Sequence, residues 1–383
     1  MKESPKVMLH DYVDFFSGYA FKSDLFNDHL GLPVARIRDV VRGYSETYYS
    51  GEYSKQFVIN NADILIGMDG EFNIGRWKGG QALLNQRVCK VIVNGKIDER
   101  YLFWFLPNAL KEIEAKTPFV TVKHLSIKQL RDIEIPLPPL QEQKRIAYIL
   151  DKADALREKR RQTMAKLDEL LQSIFLDMFG DPVTNPKNWD IVEFGTLLSD
   201  ELRNGQSPSK KGTIAAKVLT LTAITKSFYD AMHVKEAFFD TIPKTKLVDK
   251  RDFLICRGNG NLNLVGRAKF PDKDLNDVFF PDTMIAGRIN QKKISPPYLD
   301  CIWNSWFVRD QIERNARTTN GTYKVNQKVL EKIQIPLPDI IKQENFTVKV
   351  KKIDLLRIIF QTQLSKINIF FASLQDRAFR GQL

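Results

Sequence analysis

IEIPLPPLQEQKRIAYILDKADALREKRRQTMAKLDELLQSIFLDMF, residues 133–179, opens as a short apolar strand and halts at a proline step. Pro136, Pro138 and Pro139 lack a backbone N–H and hold a fixed φ, so neither sheet nor helix runs on through them. From Gln141 to Phe179 there is no proline or glycine, and most residues are good helix formers. One uninterrupted helix of about 58 Å is predicted, at ~1.5 Å per residue. Ile146, Ile149, Ala153, Leu156, Thr163, Leu167, Leu170 and Ile174 recur at alternating steps of three and four, with Arg160 interrupting one place. That spacing is a coiled-coil seam, and a seam needs a partner helix.

The chain contains one. Leu130, Ile133, Ile135, Pro136, Leu137, Pro138 and Gln143 return two hundred residues later as Leu330, Ile333, Ile335, Pro336, Leu337, Pro338 and Gln343. Beyond the proline step, Asp154, Leu156, Arg157, Lys166, Ser173 and Phe179 match Asp354, Leu356, Arg357, Lys366, Ser373 and Phe379. The second seam reads Phe346, Ile353, Leu356, Phe360, Ile367, Phe370 and Leu374. A repeat this long is far above the ~20–50 residues of solenoid units, so the chain is two tandem half-molecules, each a globular block followed by a long helix.

This order of block, IPLPPLQEQ step, helix ending in FLDMFGDP, second block and second helix resembles the specificity subunits of type I restriction-modification systems. The resemblance covers nearly the whole chain and is most specific over residues 135–182. It implies an α+β fold: two tandem mixed α/β target recognition domains, residues 1–139 and 181–339, joined by two long antiparallel coiled-coil helices, 140–180 and 340–383, in a pseudo-two-fold arrangement. It further implies that each block reads one half of a split double-stranded DNA site. The helices would space the blocks and dock two methyltransferase (modification) subunits, with nuclease-translocase (restriction) subunits joining them. S-adenosylmethionine, ATP and magnesium would then sit on those partners, with no cofactor in this chain. The second step departs from the first, because Gln141, Glu142 and Ala147 become Ile341, Lys342 and Thr347. Docking there is expected to be weaker or differently built.

Composition fits this picture. With 383 residues and 43% hydrophobic content the chain can bury at least two cores. No stretch is apolar for the ~18 residues of a membrane span, and no signal-peptide core is found at the start, so a cytoplasmic location is expected. Cys89, Cys256 and Cys301 are far apart with no CxxC pair, and the four histidines are scattered, which argues for buried free thiols and against disulfide or zinc chemistry. The net charge of +12 suits a polyanionic partner. Its excess lies in the second half; residues 342–383 alone carry eight Lys and Arg against three Asp and Glu.

Within the first block, short strands dominate, and DILIGM, residues 63–68, reads as a buried strand feeding a glycine-rich loop, 69–80, with Glu71, Asn73, Arg76, Trp77 and Lys78. A helix is expected over 101–115, kinked or broken at Pro107. In the second block DFLICR, 252–257, takes the same place, its loop is 258–269, and a helix spans 298–314. Arg and Asn offer the bidentate pairs that distinguish guanine and adenine. Glu71, Asn73, Arg76 and Lys78 in one loop, and Arg257, Asn259, Asn261 and Arg267 in the other, are therefore candidate base contacts, against the plainer reading that Gly and Asn simply make turns. Lys210, Lys211, Asn320, Thr322, Tyr323 and Lys324 are candidate phosphate contacts in the second block, against the reading of a solvated basic loop.

Catalytic motifs do not hold up. Ser295, Pro296, Pro297 and Tyr298 imitate the SPPY tetrapeptide of amino-methyltransferases, but Gly258, Gly260 and Gly266 lack the GxGxxG spacing, and Tyr298 answers to Tyr101, which no proline pair precedes. A GxxxxGK[ST] loop is absent. EQK at 142–144 has no Pro-Asp pair upstream, and a glutamate at a helix start is favourable in any case. A non-catalytic recognition subunit is the leading reading. A stand-alone nuclease or methyltransferase with degenerate motifs is the alternative.

Overall fold

The computed structural model describes residues 4–117, 123–209, 211–226, 228–241, 246–319 and 321–383. Two helices of forty residues dominate it, Leu140–Phe179 and Ile340–Phe379, offset by two hundred in bounds as in sequence. The chain divides into two units, residues 1–161 with 362–383, and residues 162–361. Each unit is thus one globular block plus half of each long helix.

In the first unit, an antiparallel sheet places strands in the order Val13–Ser17, Val88–Val93, Ile64–Gly67, Ile74–Arg76. A second sheet follows the order Phe26–Asn27, Tyr48–Tyr49, Leu32–Ala35, Ala82–Leu84, Val58–Ile59, with Leu32–Ala35 and Ala82–Leu84 parallel. The second unit has the same plan: Arg203–Asn204, Met284–Arg288, Asp252–Cys256, Ala268–Lys269 in one sheet, and Val234–Phe239, Ile214–Leu219, Leu275–Phe279, Leu247–Val248 in the other. There too a parallel pair, Lys217↔Val278, sits inside an otherwise antiparallel sheet. The strands predicted at DILIGM and DFLICR are the buried centres of their sheets.

A short strand pair mounts each block on its helix. Lys6–Met8 pairs with Glu134–Pro136, and Asp190–Glu193 pairs with Gln334–Leu337. Beside it a tyrosine and a glutamine fix the helix start. Tyr101 Oη donates to the Pro136 carbonyl at 2.7 Å, and Tyr298 Oη to that of Pro336 at 2.5 Å. Gln143, 1% exposed, donates to the Pro138 carbonyl at 2.9 Å and accepts from the Asp98 N–H at 2.8 Å. Gln343, 0% exposed, donates to Pro338 at 2.7 Å and accepts from the Ser295 N–H at 2.9 Å. A proline step frees carbonyls that buried side chains must satisfy, and these glutamines do so.

Within each unit the helix segments run antiparallel. Arg157 donates to Asn368 at 2.9 Å in the first unit, and Arg357 to Asp168 at 2.6 Å in the second. The seam differs from the sequence reading by one residue over part of its length. Ile146, Leu150, Ala153 and Leu167 are buried on the central helix, as are Phe346, Val350, Ile353 and Phe371 on the other, whereas Leu156 is 59% exposed and Leu170, Leu356 and Phe370 are exposed too. Between Ala153 and Leu167 the seam position falls on Arg157, which lays its guanidinium over the Phe371 ring at 4.3 Å and also pairs with Asp154. An arginine stem can cover apolar surface while its head reaches water, so a charged residue occupies a place that an apolar pattern assigns to its neighbour.

Two further expectations need correction. The helix Glu99–Lys116 continues across Pro107 as one element. The second block instead has two helices, Pro296–Trp303 and Trp306–Asn315. Asn304 Nδ2 donates to the Asp300 carbonyl at 2.9 Å and Ser305 Oγ to that of Ile302 at 2.6 Å, satisfying the end of the first helix without glycine or proline.

Candidate nucleic-acid interface

In the second unit the central strand Asp252–Cys256 delivers Arg257 to a loop built from successive asparagine turns. Asn259 Oδ1 accepts from the Asn261 N–H at 2.9 Å, and Asn261 Oδ1 from that of Asn263 at 3.0 Å. Gly266 closes it at φ +74°, where a Cβ would come within 2.6 Å of Ile312 Cγ2, so only glycine fits. From beneath, the Trp303 indole donates to the Gly266 carbonyl at 2.8 Å. The buried Arg309 donates to the carbonyl of Val265 and pairs with Glu313 at 2.9 Å. The loop is therefore preorganised on a rigid floor.

The backbone also joins this loop to a second one. Gly258–Asn259 pairs with Thr322–Lys324, which pairs with Arg317–Thr319. Cross-strand partners share a face, so Arg317 and Lys324 stand together over Gly258 on one side, and Asn259 stands with Tyr323 on the other. Arg317 and Lys324 are exposed. Arg257 is half-buried and donates to the Asp282 carbonyl at 3.3 Å, while Asp282 N–H donates to Gln206 at 3.3 Å, at the start of the segment that carries Lys211. Lys211 is exposed. Candidates from two separate stretches, Arg257 with Asn259 and Asn261, and Thr322 to Lys324, are thus linked in one local structure, whereas Lys211 follows Ser209, whose N–H donates to the Phe238 carbonyl at 2.8 Å in the other sheet. Lys210 and Asn320 lie outside the described residues.

Arg267 is different. It is half-buried, its Nε donates to the Asn263 carbonyl at 3.2 Å, and desolvation, with Arg309 nearby, lowers its pKa. Its geometry is that of a brace within the loop.

The first unit has the same joint with other side chains. Leu125 N–H donates to the Met68 carbonyl at 2.7 Å and Gly70 N–H to that of Lys123 at 2.9 Å, matching Val325 N–H to Arg257 at 2.9 Å. Asp69 holds His124 Nδ1 at 2.6 Å and Arg87 at 3.1 Å. The stretch read as a single loop, 69–80, is instead a turn, the strand Ile74–Arg76 and a second turn. Glu71 is exposed and Asn73 half-buried on the first turn; Lys78 is exposed on the second, bonded through its N–H to Gly43. Arg76 is in the strand, paired with Glu99 at 3.0 Å and stacked over Phe103 at 4.7 Å, so its charge is engaged within the fold. Sequence reading missed Arg87, His124, Arg309 and Arg317, which become relevant only through pairings across long chain separations.

Among the described residues no three His, Cys, Asp or Glu side chains form a group able to hold a metal, and no helix is long and apolar enough to cross a membrane. Cys89 and Cys256 are buried and Cys301 half-buried, all free, and burial pushes each thiol up to about 12.

Comparison with known proteins gives these loops a context. Residues 1–167 match the model of the type I restriction modification DNA specificity domain. Over 99% of its length the chain is 29% identical to the EcoBI type I restriction enzyme specificity subunit of Escherichia coli, covering 86% of that protein. It is 24% identical to the MjaVIII specificity subunit of Methanocaldococcus jannaschii, over 92% of this chain and 89% of the relative. The fold is shared with the S subunit of a type I restriction-modification system from M. genitalium, at a TM-score of 0.54 and 14% identity, covering 98% of this chain and 96% of that one. A chain from a structure addressing complex assembly of the type I R-M system gives 0.52 at 15% identity, covering 100% and 99%. With the duplicated block-and-helix plan, these matches show the chain to be similar in sequence and in fold to the specificity subunits of type I restriction-modification systems.

Proposed function

We propose that this chain is a type I specificity subunit that reads a split, asymmetric DNA site, one half with each block, and that its two long helices dock two methyltransferase subunits to which restriction subunits are added. The observation that carries the reading is the repeated joint between the loop after the central strand and a distant segment. It is the same in backbone, Val325 to Arg257 and Leu125 to Met68, and different in side chains. Two readers of common build and unlike chemistry suit two unlike half-sites, and joining them makes the second binding event intramolecular. Arg257, Asn259 and Asn261 are the proposed base contacts of the second block, with Glu71 and Asn73 in the first; Lys211, Arg317 and Lys324 are proposed to hold phosphates.

Partner docking is supported by the outer face of the C-terminal helix. Ile341, Val348 and Leu355 recur every seven residues and are all exposed, opposite to the seam. The matching places on the central helix are Gln141, Tyr148 and Ala155, so the two docking faces differ in chemistry. S-adenosylmethionine, ATP and magnesium are assigned to the partners.

The test replaces residues 183–330 with the matching block of a relative and sequences the methylome of cells carrying the swap. One half-site should change while the other half and the gap stay fixed. A change in both halves would sink independent reading. Native mass spectrometry at saturating methyltransferase should show two bound per chain; a single copy would remove the stoichiometry.

A further inference from the structure

Each block turns from a strand into a helix of a single turn, Ile37–Val40 in the first and Thr222–Thr225 in the second. Asp39 N–H donates to the Arg36 carbonyl at 2.8 Å, and Ala223 N–H to that of Thr220 at 3.0 Å. Ala223 therefore takes the place of Asp39, both are fully buried, and Thr220 and Thr222 answer to Arg36 and Arg38. The turn closes on alanine in one block, so its backbone does not require the carboxylate of the other.

That carboxylate gathers arginines. Asp39 Oδ1 lies 3.7 Å from Arg38 Nε and 3.7 Å from Arg42 Nη1, and Oδ2 lies 4.0 Å from Arg36 Nε. Oδ1 has no hydrogen-bond partner among the described residues, and burial pushes the carboxyl above its ordinary value. Thr47 Oγ1 accepts from Arg36 Nη2 at 2.5 Å and from Arg38 Nη2 at 2.9 Å, so two like charges meet at one hydroxyl. Arg42 lies over the Tyr44 ring at 4.4 Å and bonds the exposed Glu46 at 3.0 Å. A partly matched buried carboxylate and three neighbouring guanidinium groups are both costly arrangements.

The turn also meets both ends of the stretch 69–80. Lys78 N–H donates to the Gly43 carbonyl at 2.7 Å, and the Lys78 stem lies 3.4 Å from where a Cβ on Gly43 would stand. Ile37 Cγ2 lies 3.2 Å from the same point on Gly67, whose N–H donates to the Asn73 carbonyl at 2.8 Å. Arg38, Arg42 and Lys78 are exposed. Residues 1–139 hold 18 Lys and Arg to 17 Asp and Glu, yet here Arg36, Arg38, Arg42 and Lys78 stand against Asp39 and Glu46 alone.

We propose that Arg38, Arg42 and Lys78 hold backbone phosphates of the half-site that the first block reads, and that Asp39 is the positioning residue that aims the arginines. This rests on the reading of the chain as a two-block DNA reader, and it gives a block of near-zero net charge the phosphate contacts it otherwise lacks. The planar fork of arginine matches two phosphate oxygens, and such contacts fix register without reading sequence. Glu46 occupies Arg42 until a phosphate replaces it. In the second block, with threonine and alanine on this turn, the proposed phosphate contacts stand on other elements.

The test titrates the full chain with a duplex carrying the site methylated in cells that express it, over a range of salt. Arg38→Ala and Arg42→Ala should each weaken binding to every sequence alike and lower the slope of log affinity against log salt by about one. The two carboxylates separate aiming from bulk charge. Glu46→Gln should tighten binding, whereas Asp39→Ala, which also removes a negative charge, should weaken it. Added to the Arg38→Ala, Arg42→Ala double variant, Asp39→Ala should cost little more, because it acts through those side chains. If Asp39→Ala does not fold, Asp39→Asn, which keeps the size and loses the charge, takes its place. Tighter binding by the Asp39 variant, unchanged slopes in both arginine variants, or a loss confined to one base position would each overturn the assignment. Failure of the two-block reading shows separately, as an exchange of residues 183–330 that alters both half-sites.

Discussion

Gln143 and Gln343 make corresponding bonds at nearly equal lengths, 2.8 and 2.9 Å to the main-chain N–H and 2.9 and 2.7 Å to the proline carbonyl. The loops 69–80 and 258–269, at equivalent places in the two sheets, share almost no side chain. The contrast separates what fixes a block to its helix from what the block presents. The mount must satisfy the same freed carbonyls in each unit and so admits few residues; the loop need only close on its floor, and its outward side chains are open to change.

The strongest test of that contrast is at the tyrosines. Tyr101→Ala and Tyr298→Ala should each cost about 3–5 kcal/mol, as large-to-small aromatic changes in a core do, with similar losses in both. Urea unfolding of the two variants measures this, and a mount that matters in only one unit would show as unequal costs. Next comes the helix seam. Leu167→Asp, at a position 7% exposed, should destabilise by roughly 3–5 kcal/mol, whereas Leu156→Asp should stay within about 0.5 kcal/mol. Comparable losses would restore the seam read from apolar spacing.

That seam shows where sequence reading works and where it stops. The helix bounds were readable because proline, glycine and caps are local signals, and the prediction starting at Gln141 differs from Leu140–Phe179 by one residue. The seam was misplaced because Arg157 and Arg357 hold core-facing positions through long stems, while Leu156 and Leu356 beside them look more suitable and face outward. In the candidate interface, the loops after DILIGM and DFLICR were identified by composition, but Ile74–Arg76 was hidden among glycines. The pairing of Gly258–Asn259 with Thr322–Lys324 spans more than sixty residues and leaves no local trace. The same holds for the break at Asn304, made by side-chain bonds to carbonyls.

Smaller effects would sharpen the contrast further. Gln143→Leu and Gln343→Leu should each lose about 1–3 kcal/mol of stability, the cost of leaving buried main-chain groups unmatched. A much smaller loss in either would mean that water can replace that glutamine. On DNA, Asn259→Ala should weaken binding by about 1–3 kcal/mol and relax one base position, with the other half-site unaffected. A uniform loss over all sequences would assign it to the backbone of the DNA instead. The least change is expected from Lys211→Ala, which should lower affinity for every sequence alike and reduce the slope of log affinity against log salt by about one. Competition titrations at several salt concentrations read both.

The division into residues 162–361 on one side, and 1–161 with 362–383 on the other, sets an order of assembly during synthesis. The second unit is one continuous stretch and can close as soon as its last helical turns leave the ribosome. The first, although translated earlier, lacks Phe371, Gln375, Ala378 and Phe379 until the stretch 362–383 has followed. Until then the Tyr101 ring has no Phe379 to meet at 5.2 Å, and the Trp104 carbonyl has no Gln375 to donate to it at 2.6 Å. The half made first is the half finished last, so a ribosome that stalls near residue 362 would release a chain whose second half is complete and whose first half still exposes Tyr101 and Trp104.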